Sequence, residues 1–455
     1  MNSEHSINLN NFLLETAQYV EQLDSLSFST AAELYDLLDD AAKAATSFIG
    51  EIDPELRVRI CDIQDKVLER IIDVLPPFDH FGENLKIFSP YLDSYNAWCN
   101  FHLLKDSGLA GYLLANEIGA KPVMLFGSTD VEYPFLSSLP GLELLYRKPD
   151  EDPADSYVQH LLENSADMDI LILYGMYLQS PGYLEAYRLA RPDGKVYCSI
   201  DMNTHWMKHI DWHSVSVRKF AHQCDVVATS CRLMRDILNR TQDVQFPCRW
   251  ITNGFYNPTN IKVVADVNCK ENVILTVGRI GTIEKNNEEL LSAFAGVADM
   301  LPSWTLRLVG PVDERFQPFL DWYFEEFPNM KERVIITGAI NDKKKLYGEY
   351  AKANVFVLTS RSESGTPNVY SEALFHGCMF ITSEIDGADD IINYGELGVK
   401  YERGNIKSLS EALLKMCSAA DEQGMQSHIP RALAYANKYY DWKRNAKKLA
   451  YMLFK

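Results

Sequence analysis

Two series of short apolar runs, alternating with helical segments, limit most strongly how this chain can fold. The first series is Lys86-Ile-Phe-Ser89, Pro122-Val-Met-Leu-Phe126, Leu142-Glu-Leu-Leu145, Ile170-Leu-Ile-Leu173, Val196-Tyr-Cys-Ser-Ile200 and Val226-Val-Ala228. The second is Val273-Ile-Leu-Thr-Val277, Thr305-Leu-Arg-Leu-Val309, Val334-Ile-Ile-Thr337, Val355-Phe-Val-Leu358 and Phe380-Ile-Thr382. Continuous apolar runs of this length suit strands buried on both faces of a parallel sheet. Helical segments between them, at 108–118, 154–164, 182–190 and 212–223 and then at 286–299, 313–326, 342–352, 367–376 and 406–417, supply the crossovers that parallel strands need. The expectation is an α/β chain of two Rossmann-like, doubly wound domains in series. Its 455 residues are enough for two or three cores.

Residues 1–78 read differently. Leu34, Leu37, Leu38, Ala41, Ala45 and Phe48 follow a helical period, as do Leu56, Ile60, Ile63, Val67, Ile71 and Val74. Asp53-Pro54 supplies a cap and a first-turn proline for the second of these helices, and Pro76-Pro77 stops it. Such helices could bundle, cover the next domain or join a second copy into a homo-oligomer. The predicted division is a helical N-terminal extension over 1–78, a first Rossmann-like domain over 84–253, a second over 254–435 and a terminal helix over 436–455.

Composition narrows the partners. A net charge of −19 disfavours nucleic acid and anionic lipid as bulk partners. No apolar run reaches the roughly 18 residues that cross a bilayer, and the start MNSEHSINLNN lacks the basic and apolar regions of a signal peptide. The nine cysteines form no C-x-x-C pair, and the Cys224/Cys231 spacing fits no redox motif. Reduced thiols in a cytoplasmic protein are expected.

The stretch SRSESGTPNVYSEALFHGC, residues 360–378, follows a predicted strand. Thr366 can cap a helix, Pro367 fits its first position and Gly377 fits the residue just past its end. A helix starting there turns free N–H groups, and partial positive charge, toward the strand ends. Gly365 lets a ligand approach the backbone. An anion is expected, phosphate above all. Asn368 and Glu372 share one face of the helix. A carboxylate cannot bind phosphate, but it can accept hydrogen bonds from hydroxyls such as those of a ribose. The plainer reading of Glu372 is a solvated helix glutamate. In Val277-Gly278-Arg279-Ile-Gly-Thr-Ile-Glu-Lys285 a second strand ends at Gly278, and Arg279 and Lys285 fall at the same sheet edge. Together they could neutralise a diphosphate, the arginine as a fork and the lysine as a point charge.

The order Val277-Gly278-Arg279 to Lys285, Val309-Gly310-Pro311, Thr337-Gly338-Ala339-Ile340 and the 363–378 stretch resembles the nucleotide-binding half of the GT-B glycosyltransferases. The class it resembles is family four of the retaining, glycogen-synthase-like enzymes, the glycosyl transferases group 1. The resemblance is specific over about 250–435 and only architectural over 84–250, and residues 1–76 lie outside it. The tail from Tyr439 to Phe454 looks like the last helix of this class, which crosses back to the first domain. The resemblance implies that Arg279 and Lys285 bind the diphosphate of the donor and that Glu372 holds its ribose. Backbone at Thr366, Pro367, Asn368 and Val369 would face phosphate and sugar, and Gly338, Ala339 and Ile340 would lie against the base. Gly278, Glu363, Ser364 and Gly365 complete the donor set. The family's first glutamate position falls on Ser364, with Glu363 one step away and favoured for the role. Where many members carry a histidine, this chain has Tyr174-Gly175-Met176, so Tyr174 joins Arg279, Lys285 and Glu363 as a catalytic candidate.

The expected reaction moves a sugar from a nucleotide-diphosphate sugar, UDP being the favoured carrier, to an acceptor hydroxyl. Retention of configuration is implied, and neither a metal nor a cofactor is expected. The acceptor, a glycan, lipid-linked molecule, protein or small molecule, would be chosen by Gly108, Gly111, Asp201 and Asn203 at the first domain's strand ends. Asp167-Met-Asp169 resembles a metal-binding D-x-D but precedes its strand, at the wrong sheet edge. His205, His209 and His213 could line one helix face, but no further ligand completes a zinc site. Lys343-Lys-Lys345 reads as solvated. Two other classes remain: a non-catalytic partner protein of the same fold, and a sugar-nucleotide epimerase or phosphorylase.

Overall fold

A strand with both faces covered needs apolar side chains at consecutive positions, and the second half of the chain meets that need in alternation. In the computed structural model, Ile274, Val355, Val357 and Ile381 bury on one face of a sheet with Leu290, Leu291, Phe294, Leu409 and Leu413. Their sequence neighbours Leu275, Phe356, Leu358 and Phe380 bury on the other with Tyr350, Tyr370 and Leu374. Each such side chain contributes roughly 1.5–3 kcal/mol of burial. The structure describes residues 21–455 except 48–52, 79–84, 91–101, 127–131, 147–151, 177–179, 242 and 259–260, and before residue 21 only positions 11, 16 and 19. Phe48 therefore lies outside the described residues.

The chain divides into two compact units, residues 1–252 with 442–455, and residues 253–441. The first holds the strands β1 (Lys86–Pro90), β2 (Lys121–Phe126), β3 (Glu143–Tyr146), β4 (Ile170–Tyr174), β5 (Lys195–Ile200), β6 (Val226–Thr229) and β7 (Cys248–Trp250). They form one sheet in the order β3-β2-β1-β4-β5-β6-β7, with every pair parallel. The second holds β8 (Glu271–Val277), β9 (Thr305–Val309), β10 (Val334–Gly338), β11 (Ala353–Leu358), β12 (Met379–Ser383) and β13 (Gly398–Tyr401). Its order is β10-β9-β8-β11-β12-β13, again all parallel. In each sheet the winding reverses beside the first strand, between β1 and β4 and between β8 and β11. Loops at the C-terminal ends of those strands part in opposite directions and leave a crevice, the place where open α/β sheets take ligands.

The helices Phe28–Ser47 and Pro54–Val74 pack on each other, and the second also packs on helix Arg232–Arg240 and on β7. Asp53 caps the second helix by accepting from the Glu55 N–H at 3.0 Å. Leu34, Leu38, Ala45, Leu56, Ile60, Val67 and Ile71 are buried, whereas Leu37 is exposed. Of the arrangements that the sequence allowed for these helices, the structure shows bundling with each other and covering of the first sheet. Polar anchors fix the seam. Arg235 meets Asp65, Arg249 on β7 meets Asp39 and Gln64, and Glu69 takes Arg444 at 2.9 Å and Lys448 at 2.5 Å. The last two cations come from helix Trp442–Phe454, which packs on helix Asp106–Ile118 within this same unit.

Among the elements that escape the sequence reading are β7, β13 and the helices Arg232–Arg240 and Glu422–Tyr439. The two strands are three and four residues long. A buried arginine interrupts the apolar pattern of the first. Helix Glu422–Tyr439 carries Pro430 in its interior, a residue that normally argues against a helix. Cys224 and Cys231 are not joined in a disulfide.

Candidate functional site

β8 and β9 end side by side. The Gly278 N–H donates to the Val309 carbonyl at 3.0 Å, and the Gly310 N–H to the Gly338 carbonyl at 3.0 Å. Gly310 sits at φ +147, and a Cβ there would overlap the Gly278 carbonyl oxygen, so the strand ends approach this closely only with glycine. The aliphatic stem of Lys285 lies over Gly278, with Cε 3.8 Å from where a Cβ would stand, an ordinary contact distance.

The loop after β8 is stitched to the loop after β11. Thr359 donates its hydroxyl to the Lys285 carbonyl at 2.8 Å, and the Arg361 N–H reaches the Glu284 carbonyl at 2.7 Å. The Arg361 guanidinium meets Asn286 Oδ1 at 2.9 Å, and Asn286 itself is left-handed at φ 48. These ties bring the Lys285 ammonium onto the Glu363 carboxylate, which also accepts from the Ser360 hydroxyl at 2.5 Å. Both side chains are mostly buried, at 17% and 16% exposure. Arg279 is exposed at the same loop. The Glu284 carboxyl is held below its usual range by its own backbone N–H and by the Thr282 hydroxyl, with the fields of Arg279 and Lys285 adding to them.

Ser364 is exposed, while Gly365, at φ 68, and Thr366 are buried. Asn253 donates to the Thr366 carbonyl at 2.9 Å, and a Cβ on Gly387 would stand 2.7 Å from the Gly365 carbonyl oxygen. The expected Thr366 cap is not formed. Pro367, at φ −61 and ψ 138, takes the cap position without a side-chain hydrogen bond, and the helix runs Asn368–Phe375. The reason is burial: Thr366 packs beneath Gly387 rather than turning to the helix N–H groups.

Glu372 is not a solvated helix residue. Its carboxylate accepts from Lys343 Nζ at 3.1 Å and from the Tyr350 hydroxyl at 2.8 Å. Burial, with Glu372 alongside, pushes the Tyr350 phenol well up, so it stays a donor. Lys343, read from sequence as solvated, is thus a partner of Glu372 that sequence reasoning missed. The available signal was its place as first residue of helix Lys343–Lys352, just past the Gly338 turn. Gly338 is left-handed at φ 71, Ala339 is exposed, and Ile340 packs on the second core layer. Gly377, at φ 71, ends helix Asn368–Phe375 as expected: its N–H meets the Leu374 carbonyl at 3.0 Å, and that of Cys378 meets Ala373 at 3.1 Å.

The remaining candidates belong to the first unit. The Tyr174 hydroxyl, at the end of β4, donates to Asp106 Oδ2 at 2.7 Å. Gly108 and Gly111 are taken up by packing. A Cβ on the former would come 2.5 Å from the His102 carbonyl oxygen, and one on the latter would overlap the Ser89 hydroxyl. Asn203 caps helix Thr204–Met207, accepting from the Trp206 N–H at 3.0 Å. Asp201 is half-buried. His205, His209 and His213 do not share a helix face, because that helix stops at Met207; His213 instead meets Asp243 at 3.1 Å. Asp169 accepts from the Lys86 N–H at 3.0 Å and from Arg191 at 2.6 Å, where β4 begins. Among the described residues, no three histidine, cysteine, aspartate or glutamate side chains are grouped to hold a metal.

Solved structures with this architecture include HepE from Anabaena in complex with UDP, with a TM-score of 0.60 at 14% identity over 81% of this chain and 99% of that one. Sucrose-phosphate synthase from Thermosynechococcus elongatus gives a TM-score of 0.60 at 18% identity, over 80% of this chain and 97% of that one. The lipopolysaccharide outer core galactosyltransferase WaaB, in its apo form, gives 0.57 at 17%, over 81% and 99%. The likeness at these identities is one of fold, the GT-B pair of Rossmann-like domains. No curated protein matches the chain in sequence. Residues 271–419, from the start of β8 to the end of helix Ile406–Ala419, match the family described as Glycosyl transferases group 1.

Proposed function

We propose that the chain is a glycosyltransferase that moves a sugar from a nucleotide-diphosphate sugar to an acceptor hydroxyl. One observation carries the reading: Lys285 and Glu363 meet at the point where the second sheet reverses its winding. They do so inside the stretch that matches a glycosyltransferase family. The donor half is 254–435 and the acceptor half 84–253.

The diphosphate sits against Arg279, Lys285 and the N–H groups that open helix Asn368–Phe375. Its oxygens take the ammonium of Lys285, and Glu363, released from that pair, accepts a hydrogen bond from a hydroxyl of the donor sugar. Glu372, oriented by Lys343 and Tyr350, has lone pairs left for the ribose hydroxyls. As the bond from the anomeric carbon to the diphosphate breaks, charge grows on the leaving oxygens beside the two fixed cations, where it is stabilised most. The acceptor oxygen forms the new bond, and its proton leaves with the diphosphate. Retention is the stereochemistry the family resemblance supports. Uridine is the favoured base, because HepE, a neighbour in fold, binds UDP. Fixed cations make a metal unnecessary for this step. Tyr174 and Asp201 are the acceptor-side candidates. No helix of the described residues is long and apolar enough to cross a membrane.

The test is thermal-shift screening of the full chain against a panel of nucleotide sugars, followed by release of nucleoside diphosphate with candidate acceptors. A stabilising nucleotide sugar and acceptor-dependent release are expected, with Lys285→Ala lowering kcat/KM by roughly 10²–10³. Binding without turnover points instead to a non-catalytic partner protein, and change of the sugar without transfer to an epimerase. No shift with any nucleotide sugar ends the proposal.

A further inference from the structure

The histidines of the loop after β5 do not share a helix face, yet the loop they stand on is firmly built. β5 runs beside β4, with Ser199 in register with Tyr174, so the loop leaves the sheet at the strand ends that carry Tyr174. Asn203, buried, caps helix Thr204–Met207. The His209 and Ile210 N–H groups then close on the Trp206 and Met207 carbonyls at 2.9 and 3.3 Å. Met207 and Trp212 anchor the loop in the core of the first unit.

That anchoring leaves Trp206 outside. It is 60% exposed, whereas Trp212, six residues on, is buried. A single exposed apolar side chain is common and means little by itself. Trp206 is not single. The rings of His205 and His209, both exposed, each lie 6.0 Å from the indole, at 76° and 63° to it. They lie 5.3 Å from one another at 71°. Neither imidazole is stacked on the indole. The three form a small outward cluster: one apolar plane flanked by two rings whose nitrogens donate or accept hydrogen bonds.

That combination fits a sugar. A pyranose ring carries C–H groups across a face and hydroxyls around its edge. The C–H groups lie against the negative face of an indole, and the hydroxyls reach the imidazoles. We propose that Trp206 is the platform on which a sugar ring of the acceptor stacks, with His205 and His209 bonding its hydroxyls. The inference rests on the transferase reading above and narrows its acceptor to a molecule that presents a sugar, free or at the end of a glycan. Asn203 then acts as a positioning residue: its cap fixes the turn that presents the indole. One ring offers far less than the roughly 800 Å² a side of a stable protein interface. A nucleobase would stack equally well, but under the same reading the base of the donor belongs to the second unit.

The experiment is saturation-transfer NMR of the full chain with the methyl glycosides of glucose, galactose, mannose and N-acetylglucosamine, with maltose, cellobiose and lactose, and with uridine as the stacking control. At least one sugar is expected to take up saturation, most strongly at its ring C–H protons. The signal should fall about tenfold in Trp206→Ala and persist in Trp206→Phe and in the Arg279→Ala/Lys285→Ala double variant. Because Trp206 is exposed, Trp206→Ala should keep the wild-type melting temperature. No signal from any of these sugars, a signal unchanged in Trp206→Ala, or a Trp206-dependent signal from uridine alone would each overturn the proposal. In turnover, Trp206→Ala should raise the KM for a sugar acceptor about tenfold and leave the donor KM and kcat within about twofold; a loss confined to kcat or to the donor KM would overturn it too. Trp206-dependent sugar binding with no nucleotide sugar stabilising the chain would keep the platform as a sugar-binding surface and end the transfer reading. Turnover unaffected by Trp206→Ala would keep the transfer reading and end the platform.

Discussion

Lys285 and Glu363 hold each other, so the diphosphate proposed for this site would compete with a carboxylate already in place. Arg279, exposed, has no such competitor among the hydrogen bonds described. Replacing either cation by alanine should weaken nucleoside diphosphate binding by about 1–3 kcal/mol, measured by titration calorimetry. Unchanged affinity in both variants, with the fold intact, would mean that the phosphate site is elsewhere. That both cations follow the end of β8 was legible in the sequence; that they hold a diphosphate is the proposal. The partners of Glu372 were not, since Lys343 lies 29 residues away. Nor did the sequence disclose that Thr366 turns inward: a threonine before a proline looks like a cap whichever way it packs. Glu363, rather than Ser364, is the residue brought against Lys285, a distinction of one position that only the loop geometry makes.

Among the elements, helix Asn368–Phe375 depends on how it stops as much as on how it starts. Gly377 is left-handed, and a Cβ there would come 2.9 Å from Ile429 Cγ1. Gly377→Ala should cost about 1–2 kcal/mol for the backbone alone and more for the contact, read as a lower melting temperature of the second unit. A variant as stable as wild type would show that the turn relaxes without loss. The strands that were read correctly carry continuous apolar runs, whether buried on both faces as in β4, β11 and β12 or half-buried at a sheet edge as in β3 and β10. β7 escaped because Arg249 is buried by partners as far as 210 positions away in sequence. A pattern reader sees a charge there and cannot see its carboxylate.

Both units should lose stability in acid, because each buries histidines; in the first, burial holds the pKa of His102 down to about 4. In the second, burial holds His376 and His428 neutral, with pKa values pushed down to about 4 from 6.5. The unfolded chain therefore binds protons first as pH falls, and stability that is full above pH ~6.5 is lost progressively toward pH ~4. Each histidine contributes on the order of 3 kcal/mol to that loss. Unfolding midpoints in urea should fall between pH 7 and pH 5, less so in His428→Gln. A flat profile would mean that the histidines are more open to water than the packing implies. Because two units can unfold separately, each transition needs its own probe. In the first unit, Lys448 is 3% exposed and faces Glu69. Glu69→Ala would leave that ammonium buried without its carboxylate and should cost roughly 3–5 kcal/mol, seen in the first unit's transition only. The same pair bears on the order of assembly. Glu69 and its cation Arg444 are 375 positions apart, and the whole second unit is encoded between them. On the ribosome, residues 253–441 emerge as one uninterrupted stretch that can settle by itself, while the earlier-made half waits, one acidic group uncompensated, for a helix translated after them.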